Sequence, residues 1–379
     1  MRLPRATAFV LSTTVVTSLA LTGCGSDEPS SKQQPAKPAA SSPVSKTEDV
    51  TPEPSKEPVS DFGRGIIVTS CEGSAGETII VTSYDPDTGE QLARTEINKP
   101  AIGDTFSAAD CFAMQSHRQD FRMEGAFSPD FTQVYATVTN ADGTSTVGTV
   151  GQDGTFTEIV AANSDDFGSQ KFEFPALDSA SGRLVFWDKA GDQPKLVSVK
   201  MDGTDMRPET AAQAKLYQDY LGEVFALPNA REIAPLDRTS TSAYNDAGTL
   251  VARVDTGDLQ IGKPPLANDF QGVKIPDNGP YRCDVVTFLA DDKTVVCEDG
   301  SQIYQLKIQG STVKVTTLVA NKGELGIKSV ALSDDGSHLA FLGQLAEATA
   351  LYTVPVTGGK PEKLVENAGN AAVLLGYRP

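Results

Sequence analysis

The stretch that most restricts how this chain can fold is Ser329–Val365, SVALSDDGSHLAFLGQLAEATALYTVPVTGGKPEKLV. It reads as four short strands separated by turn residues. Ser329–Leu332 is short and apolar, and Asp334-Asp335-Gly336 is a turn signal. His338–Leu342 alternates, with Leu339 and Phe341 on one face, and Leu351–Val356 alternates again. Thr357-Gly358-Gly359 turns the chain once more, and Pro361–Val365 closes the unit. A unit this small cannot bury its apolar faces alone, so it calls for copies of itself elsewhere in the chain.

The copies are there. Phe121–Ile159 contains FRMEGAF, the turn Ser128-Pro129-Asp130, YATVT, the turn Asn140–Gly143, and STVGTV before Gln152-Asp153-Gly154. Phe172–Met206 contains FEFPAL, a turn at Ser179–Gly182, LVFWD, and KLVSVK before Met201-Asp202-Gly203. Asp284–Val319 repeats the order with turns at Asp291-Asp292, Asp299-Gly300 and Gln309-Gly310, and Thr239–Ile275 is a weaker copy. A first copy has only three strands, GIIVTS, TIIVTSY and QLARTEI; its missing innermost strand is expected from the far end, Ala371–Tyr377. Four-stranded antiparallel units repeated in this way predict an all-β, six-bladed β-propeller whose chain ends share one blade. The spacing lengthens at Asn98–Arg122 and Arg207–Arg238. The second insertion carries Leu216, Tyr217, Tyr220, Leu221, Val224 and Phe225 at helical spacing and predicts a short helix. A degenerate seventh blade in one insertion is the alternative.

Ser128-Pro129-Asp130 and Ser333-Asp334-Asp335-Gly336 carry a resemblance to the TolB-like and WD40-like repeat, SPDG followed by an alternating apolar strand. Phe131 stands where that repeat has glycine. The resemblance spans most of Gly63–Tyr377. It implies a structural role for the Asp and Gly of each turn and brings no catalytic residue with it.

The N-terminus predicts the compartment. Arg2 and Arg5 precede an apolar, small-residue run, Ala6–Leu21, too short to span a membrane. Leu21-Thr22-Gly23-Cys24 then resembles the bacterial lipobox, which implies cleavage before Cys24 and a diacylglyceryl group on its sulfur. On this reading residues 1–23 are a lipoprotein signal peptide. The chain is then held on the extracytoplasmic side of the cell membrane by acyl chains such as palmitate. Residues 24–61 are the lipidated cysteine and a disordered tether. Gly25–Asp61 has seven prolines, much Ser, Lys and Glu, and almost nothing large and apolar before Phe62. As a coil it would span roughly 30–40 Å. Residues 62–379 are the propeller domain.

Removing Arg2 and Arg5 with the signal takes the formal charge from −18 to −20. A nucleic-acid partner needs the opposite sign. The expected contacts are the membrane, through the lipid, and an unidentified protein or glycan. The four remaining cysteines of an exported chain predict disulfides: Cys283 with Cys297, on either side of the Asp291-Asp292 turn, and Cys71 with Cys111.

Little in the sequence points to catalysis. There are two histidines: His338 beside a turn, where a structural role is expected, and His117 in the first insertion. No nucleophile elbow, metalloprotease motif, dinucleotide fingerprint or P-loop occurs. Asp85, Asp87 and Glu90 could suggest calcium, but the glycine spacing and the missing distal glutamate favour a hairpin turn. Trp187, the single tryptophan, is expected to pack between blades. The prediction is a non-catalytic binding or scaffold module without cofactor or metal, with the two insertions as its partner surface. The alternative is a propeller enzyme of the envelope, either a quinoprotein-like oxidoreductase or a carboxylate-based carbohydrate enzyme.

Overall fold

A computed structural model describes residues 61–72, 78–100, 106–108, 123–139, 144–161, 172–178, 181–188, 195–209, 242–245, 249–263, 272–320, 325–345 and 348–379. All of them belong to one compact unit, Lys56–Pro379. Twenty-four strands are described. The first three are β1 (Gly65–Glu72), β2 (Thr78–Tyr84) and β3 (Gln91–Asn98). They are followed by β4 (Phe106–Ala108), β5 (Gln133–Thr139), β6 (Ser145–Gly151) and β7 (Phe156–Ala161), then β8 (Phe172–Asp178), β9 (Arg183–Asp188), β10 (Lys195–Lys200) and β11 (Arg207–Pro208). Next come β12 (Ser242–Tyr244), β13 (Val251–Asp255), β14 (Asp258–Gly262) and β15 (Val273–Lys274), and then β16 (Asp284–Phe288), β17 (Thr294–Glu298), β18 (Ile303–Gln309) and β19 (Thr312–Val319). The last are β20 (Gly326–Leu332), β21 (His338–Leu345), β22 (Ala348–Pro355), β23 (Glu362–Val365) and β24 (Asn370–Arg378).

They form six four-stranded antiparallel sheets. Sheets 2 to 6 are consecutive meanders, β4–β7, β8–β11, β12–β15, β16–β19 and β20–β23. Sheet 1 runs β24-β1-β2-β3, so its first strand comes from the opposite end of the chain. Gly65 pairs with Arg378 and Val68 with Leu374. First strands of consecutive sheets lie against one another: β4 against β8, β12 against β16, β16 against β20, and β20 against β24. This is the topology of a β-propeller, in which the sheets converge on their first strands.

The sequence pattern explains the layering. Second strands such as GIIVTSCE, QVYATVT and HLAFLGQL are buried on both faces, because each is sandwiched between two neighbouring sheets. Fourth strands such as FTEIVA and EKLV are half-exposed. The apolar clusters sit between sheets. Ile67, Val81 and Ile97 of sheet 1 meet Val134, Ala136 and Val150 of sheet 2. Tyr135 and Val147 meet Phe172, Leu184 and Phe186 of sheet 3. Equivalent clusters join sheets 4 and 5, 5 and 6, and 6 and 1.

The first strands of sheets 1, 3, 5 and 6 are bulged. The register steps from Glu173↔Trp187 to Ala176↔Val185 in sheet 3, and from Val285↔Cys297 to Thr287↔Val296 in sheet 5. In sheet 6 it steps from Ile327↔Gly343 to Ser329↔Leu342, and in sheet 1 from Ile67↔Gly376 to Val68↔Leu374. Each bulge adds local twist, which lets a strand at the crowded centre diverge from its neighbours. In sheet 2 the same device is enlarged. Ala108 pairs with Ala136 and the next bridge is Phe127↔Val134, so the chain makes a long excursion within one strand.

That excursion corrects one expectation. FRMEGAF is not the first strand of sheet 2. Met123–Ala126 is a 3-10 helix, and Phe106–Ala108, inside the expected insertion, supplies the strand. Glu and Gly are poor strand formers. The helix instead lies against β8 and β24, where a Cβ on Gly125 would come 3.1 Å from the Leu177 carbonyl oxygen. The second insertion is likewise shorter than its sequence limits, since Arg207–Pro208 completes sheet 3. The helix expected over Leu216–Phe225 lies outside the described residues.

Turn glycines also carry the contact between sheets. Gly89 lies in the turn between the third and fourth strands of sheet 1 and has φ +73°. Its Cβ would sit 2.3 Å from the carbonyl oxygen of Leu364, in the fourth strand of sheet 6. Gly203, with φ +78°, repeats this contact 2.2 Å from the Ile159 carbonyl oxygen of sheet 2. A Gly203→Ala substitution combines a left-handed backbone with a backbone clash. It should destabilise by at least about 2 kcal/mol, measured as a lower urea midpoint at unchanged m-value.

Candidate functional site

The turns between first and second strands share one hydrogen-bonded design. In sheet 6, the Ser333 amide donates to the His338 carbonyl (2.9 Å) and the Gly336 amide to the Ser333 carbonyl (2.7 Å). Ser333 Oγ donates to Asp335 Oδ1 at 2.6 Å, and the Ser337 amide donates to the same oxygen at 2.9 Å. Sheet 2 repeats this with Ser128, Asp130 and Thr132. Sheet 5 uses Asp291, which accepts from the amides of Lys293 and Thr294 and from Lys307 Nζ. In sheet 4 Asn245 Oδ1 accepts from the Thr249 and Leu250 amides. Hydrogen bonds from Ser333 Oγ and from the amide and hydroxyl of Ser337 hold the Asp335 carboxyl at about 2. Partial burial pushes Asp291 up, but Lys307, Thr294 and the turn amides outweigh it, and it too sits at about 2. These carboxylates are occupied in shaping turns.

Adjacent turns touch. Asn245 Nδ2 donates to Asp292 Oδ1 (3.1 Å), and the Asp334 amide donates to the Tyr377 carbonyl of β24 (3.0 Å). Sheet 1 has no such turn, because β24 and β1 come from distant parts of the chain and Phe62 and Arg378 lie where it would be. Arg378 Nη1 donates to the Phe62 carbonyl at 2.7 Å and its guanidinium lies 5.7 Å from the Phe131 ring centre. The Phe131 ring packs at a tilt against Phe62, 4.9 Å between ring centres, and against Phe127 at 5.8 Å. The residue that replaces the repeat's glycine thus keeps the glycine's backbone, φ +56°, and fills the junction of sheets 1 and 2.

The described roots of the two irregular segments lie at different ends of the strands. The excursion 109–126 rejoins sheet 2 at Phe127, next to the Ser128 turn. The connection 210–241 leaves from the end of β11 and enters β12, at the end opposite those turns. Its root is fixed by a buried polar cluster on sheet 3. The Arg183 guanidinium donates to Ser198 Oγ (2.8 Å) and to Asp205 Oδ2 (3.0 Å). Ser198 Oγ donates to Glu209 Oε1, whose side chain is 3% exposed, and the Glu209 amide donates to the Leu196 carbonyl. Val185 and Trp187 share this face of sheet 3, opposite Phe186, and Trp187 is fully buried. It is not a surface aromatic. The sequence gives no sign of the Arg183–Ser198–Glu209 cluster, which depends on cross-strand register rather than on spacing.

Cys283 and Cys297 are disulfide-bonded. They are not directly opposed: Val285, two residues beyond Cys283, lies across from Cys297. Cys283 precedes β16 and pairs its backbone with Val254 of sheet 4, so the bond also ties two sheets together. Closing this short loop is worth about 3 kcal/mol. Cys71 is disulfide-bonded as well. Cys24, Cys111 and His117 lie outside the described residues. Asp85 Oδ1 accepts from the amides of Asp87 (2.9 Å) and Thr88 (3.0 Å), the geometry of a hairpin turn. His338 Nδ1 lies 2.8 Å from Ser337 Oγ, within the sheet 6 turn. Among the described residues no group of three or more His, Cys, Asp or Glu could hold a metal ion.

No protein-family model matches the chain, and no curated protein matches its sequence. Solved structures do. TolB from Acinetobacter baumannii is 12% identical at a TM-score of 0.36, over 82% of this chain and 67% of that one. A periplasmic gluconolactonase of Pseudomonas aeruginosa is 13% identical at 0.34, over 79% and 81%. A chain of a nidogen–laminin complex is 14% identical at 0.36, over 82% and 98%. Likeness at this level assigns neither activity nor partner.

The turn carboxylates make stability pH-dependent. Asp291 and Asp335 ionise near 2 when folded and near 4 when unfolded. Their contribution is therefore complete above pH 4 and lost as the pH falls from about 4 to about 2. Urea midpoints between pH 7 and pH 2 should drop steeply in that window, and Asp291→Asn with Asp335→Asn should flatten the drop.

Proposed function

We propose that the chain is a lipid-anchored, exported six-bladed propeller that acts as a non-catalytic binding or scaffold module at the cell envelope. The observation that supports this best is the use of its polar repeat residues. The Asp, Ser, Thr and Asn of the turns spend their hydrogen bonds on backbone amides and on one another, within and between the turns. What departs from the repeat is chain inserted into it, and function in propellers resides in such connections.

Six blades follow if the six four-stranded sheets close into one ring. Five of the six interfaces are apolar clusters between consecutive sheets. The full burial of Trp187, on the face of sheet 3 turned away from sheet 2, supports a sixth between sheets 3 and 4. Cys111 is the partner we propose for Cys71. Cys71 and Cys297 occupy equivalent places, each the penultimate residue of a second strand and each followed by Glu. Cys24 is the proposed site of lipid attachment.

We assign the partner contact chiefly to the connection 210–241, and its partner to an extracytoplasmic protein or glycan. Replacing residues 211–240 by a short Gly-Ser linker should leave secretion, membrane association and the thermal transition in place. Cross-linking in intact cells should then lose the partners captured by the unaltered chain. An unchanged set of partners would count against this reading.

A further inference from the structure

Sheet 4 carries a charge where sheets 2, 3, 5 and 6 carry apolar side chains. The first-to-second-strand turns close at Gln133, Arg183, Leu250, Thr294 and His338. The third residue beyond each is Ala136, Phe186, Arg253, Cys297 and Phe341. The four apolar ones are buried, and Arg253 is half-buried. Ala252, Val254 and Leu259 pack towards sheet 5. Alternation puts Arg253, Asp255, Asp258 and Gln260 on the opposite face, and all four are half-buried. Arg253 Nε donates to Gln260 Oε1 across β13 and β14, and among the described residues neither Nη group has an acceptor. Asp255 Oδ1 is buried and has no hydrogen-bond partner among the described residues.

Turn formation does not account for Asp255. Asp299 holds the same place in sheet 5, and its Oδ1 accepts from the Ser301 and Gln302 amides (3.0 and 2.7 Å). Asp255 instead precedes a tight turn in which Thr256 and Gly257 are both left-handed, φ +47° and +80°. There the Gly257 amide donates to the Tyr281 carbonyl (2.7 Å). A buried carboxylate oxygen without a donor is destabilising until something supplies one.

We propose that this face of sheet 4 binds a neutral sugar residue of a glycan. Donors and acceptors are interleaved on it: Arg253 and Gln260 Nε2 donate, and Asp255 and Asp258 accept. A sugar hydroxyl does both at once, so adjacent hydroxyls can link Arg253 to Asp255. The charges balance, Arg253 and Lys274 against Asp255 and Asp258, with Lys274 Nζ 3.9 Å from Asp258 Oδ1. Two aspartates would repel a phosphate or carboxylate ligand. A Cβ on Gly272 would come 2.7 Å from Asp258 Cβ and 3.1 Å from Gln260 Cγ, so any side chain there would crowd this surface. At the hairpin tip Tyr281 is 64% exposed, and a Cβ on Gly257 would lie 3.5 Å from its Cδ2. The Arg282 guanidinium lies 6.0 Å from the Tyr281 ring centre. The ring offers an apolar face beside the polar groups, matching the two kinds of surface that a sugar presents. The site needs neither the lipid anchor nor the connection 210–241.

The test is saturation-transfer NMR on the full-length protein. The probes are neutral tetrasaccharides of glucose, galactose and mannose, with glycine and inorganic phosphate as charged comparisons. At least one tetrasaccharide should give a transfer signal, and the charged probes none. Arg253→Leu installs the kind of side chain that the other sheets carry. It should keep or raise the urea midpoint while weakening that tetrasaccharide by at least about tenfold. Asp255→Ala should weaken it similarly, whereas Lys314→Gln, on the exposed fourth strand of sheet 5, should leave it unchanged. The proposal is overturned if no tetrasaccharide gives a signal, if binding survives Arg253→Leu in a folded protein, or if glycine or phosphate binds as well as the sugars. Should Arg253→Leu fail to fold, Asp255→Ala decides, and unchanged affinity there overturns the site.

Discussion

Everything in this fold depends on β24 returning to pair with β1. Until Arg378 reaches Gly65, sheet 1 lacks its first strand and the buried face of Ile66 and Val68 lacks Leu374 and Tyr377. The loop to be closed is about 300 residues long, which costs on the order of 5 kcal/mol in chain entropy. The repayment comes late in folding, because long-range pairing rewards the chain only after the intervening sheets exist. Arg378 reinforces the closure with one hydrogen bond and one cation–π contact at the same junction. Phe131 is part of that closure. Its left-handed backbone costs about 1–2 kcal/mol, and its buried ring returns more than that.

Twist is the second constraint. First strands must converge while fourth strands spread, and flat sheets cannot do both. The bulges in β8, β16, β20 and β24 supply the extra rotation at the centre. At the rim, the same rotation swings the end of each fourth strand over the next sheet. Gly89 therefore meets Leu364, and Asn98 of sheet 1 bonds through its side chain to the Gln152 carbonyl in sheet 2 at 3.0 Å. A glycine that reads as a turn residue in the sequence is a packing residue in three dimensions.

The repeat was legible because turn chemistry and alternation are local. Ser333-Asp334-Asp335-Gly336, the strands around it and the C-terminal contribution to sheet 1 follow from spacing alone. Two kinds of feature were not legible. One is where a strand is interrupted: Phe106–Ala108 is too short to give a periodic signal, and FRMEGAF imitates a strand while Met123–Ala126 forms a 3-10 helix. The other is what meets across strands. Arg183 and Glu209 are 26 positions apart and share a buried cluster only because β9, β10 and β11 register them on one face. The Cys283–Cys297 bond was legible as a pair, but its second role, joining sheet 5 to Val254 of sheet 4, was not.

The irregular segments also separate in a way their sequences do not reveal. Both break the repeat, and in one dimension they look like two parts of a single surface. The strand order divides them. Residues 109–126 interrupt a first strand and rejoin it beside the acidic turns, with the 3-10 helix laid along β8 and β24. Their root is thus built into the junction of three sheets. The connection 210–241 instead joins a fourth strand to a first strand at the other end, rooted in the Arg183–Ser198–Glu209 cluster. An excursion tied into the core at its return can change little without disturbing sheets 1 to 3. The described root of 210–241 is a cluster within sheet 3, which is the ground on which that connection, rather than 109–126, is proposed as the partner surface.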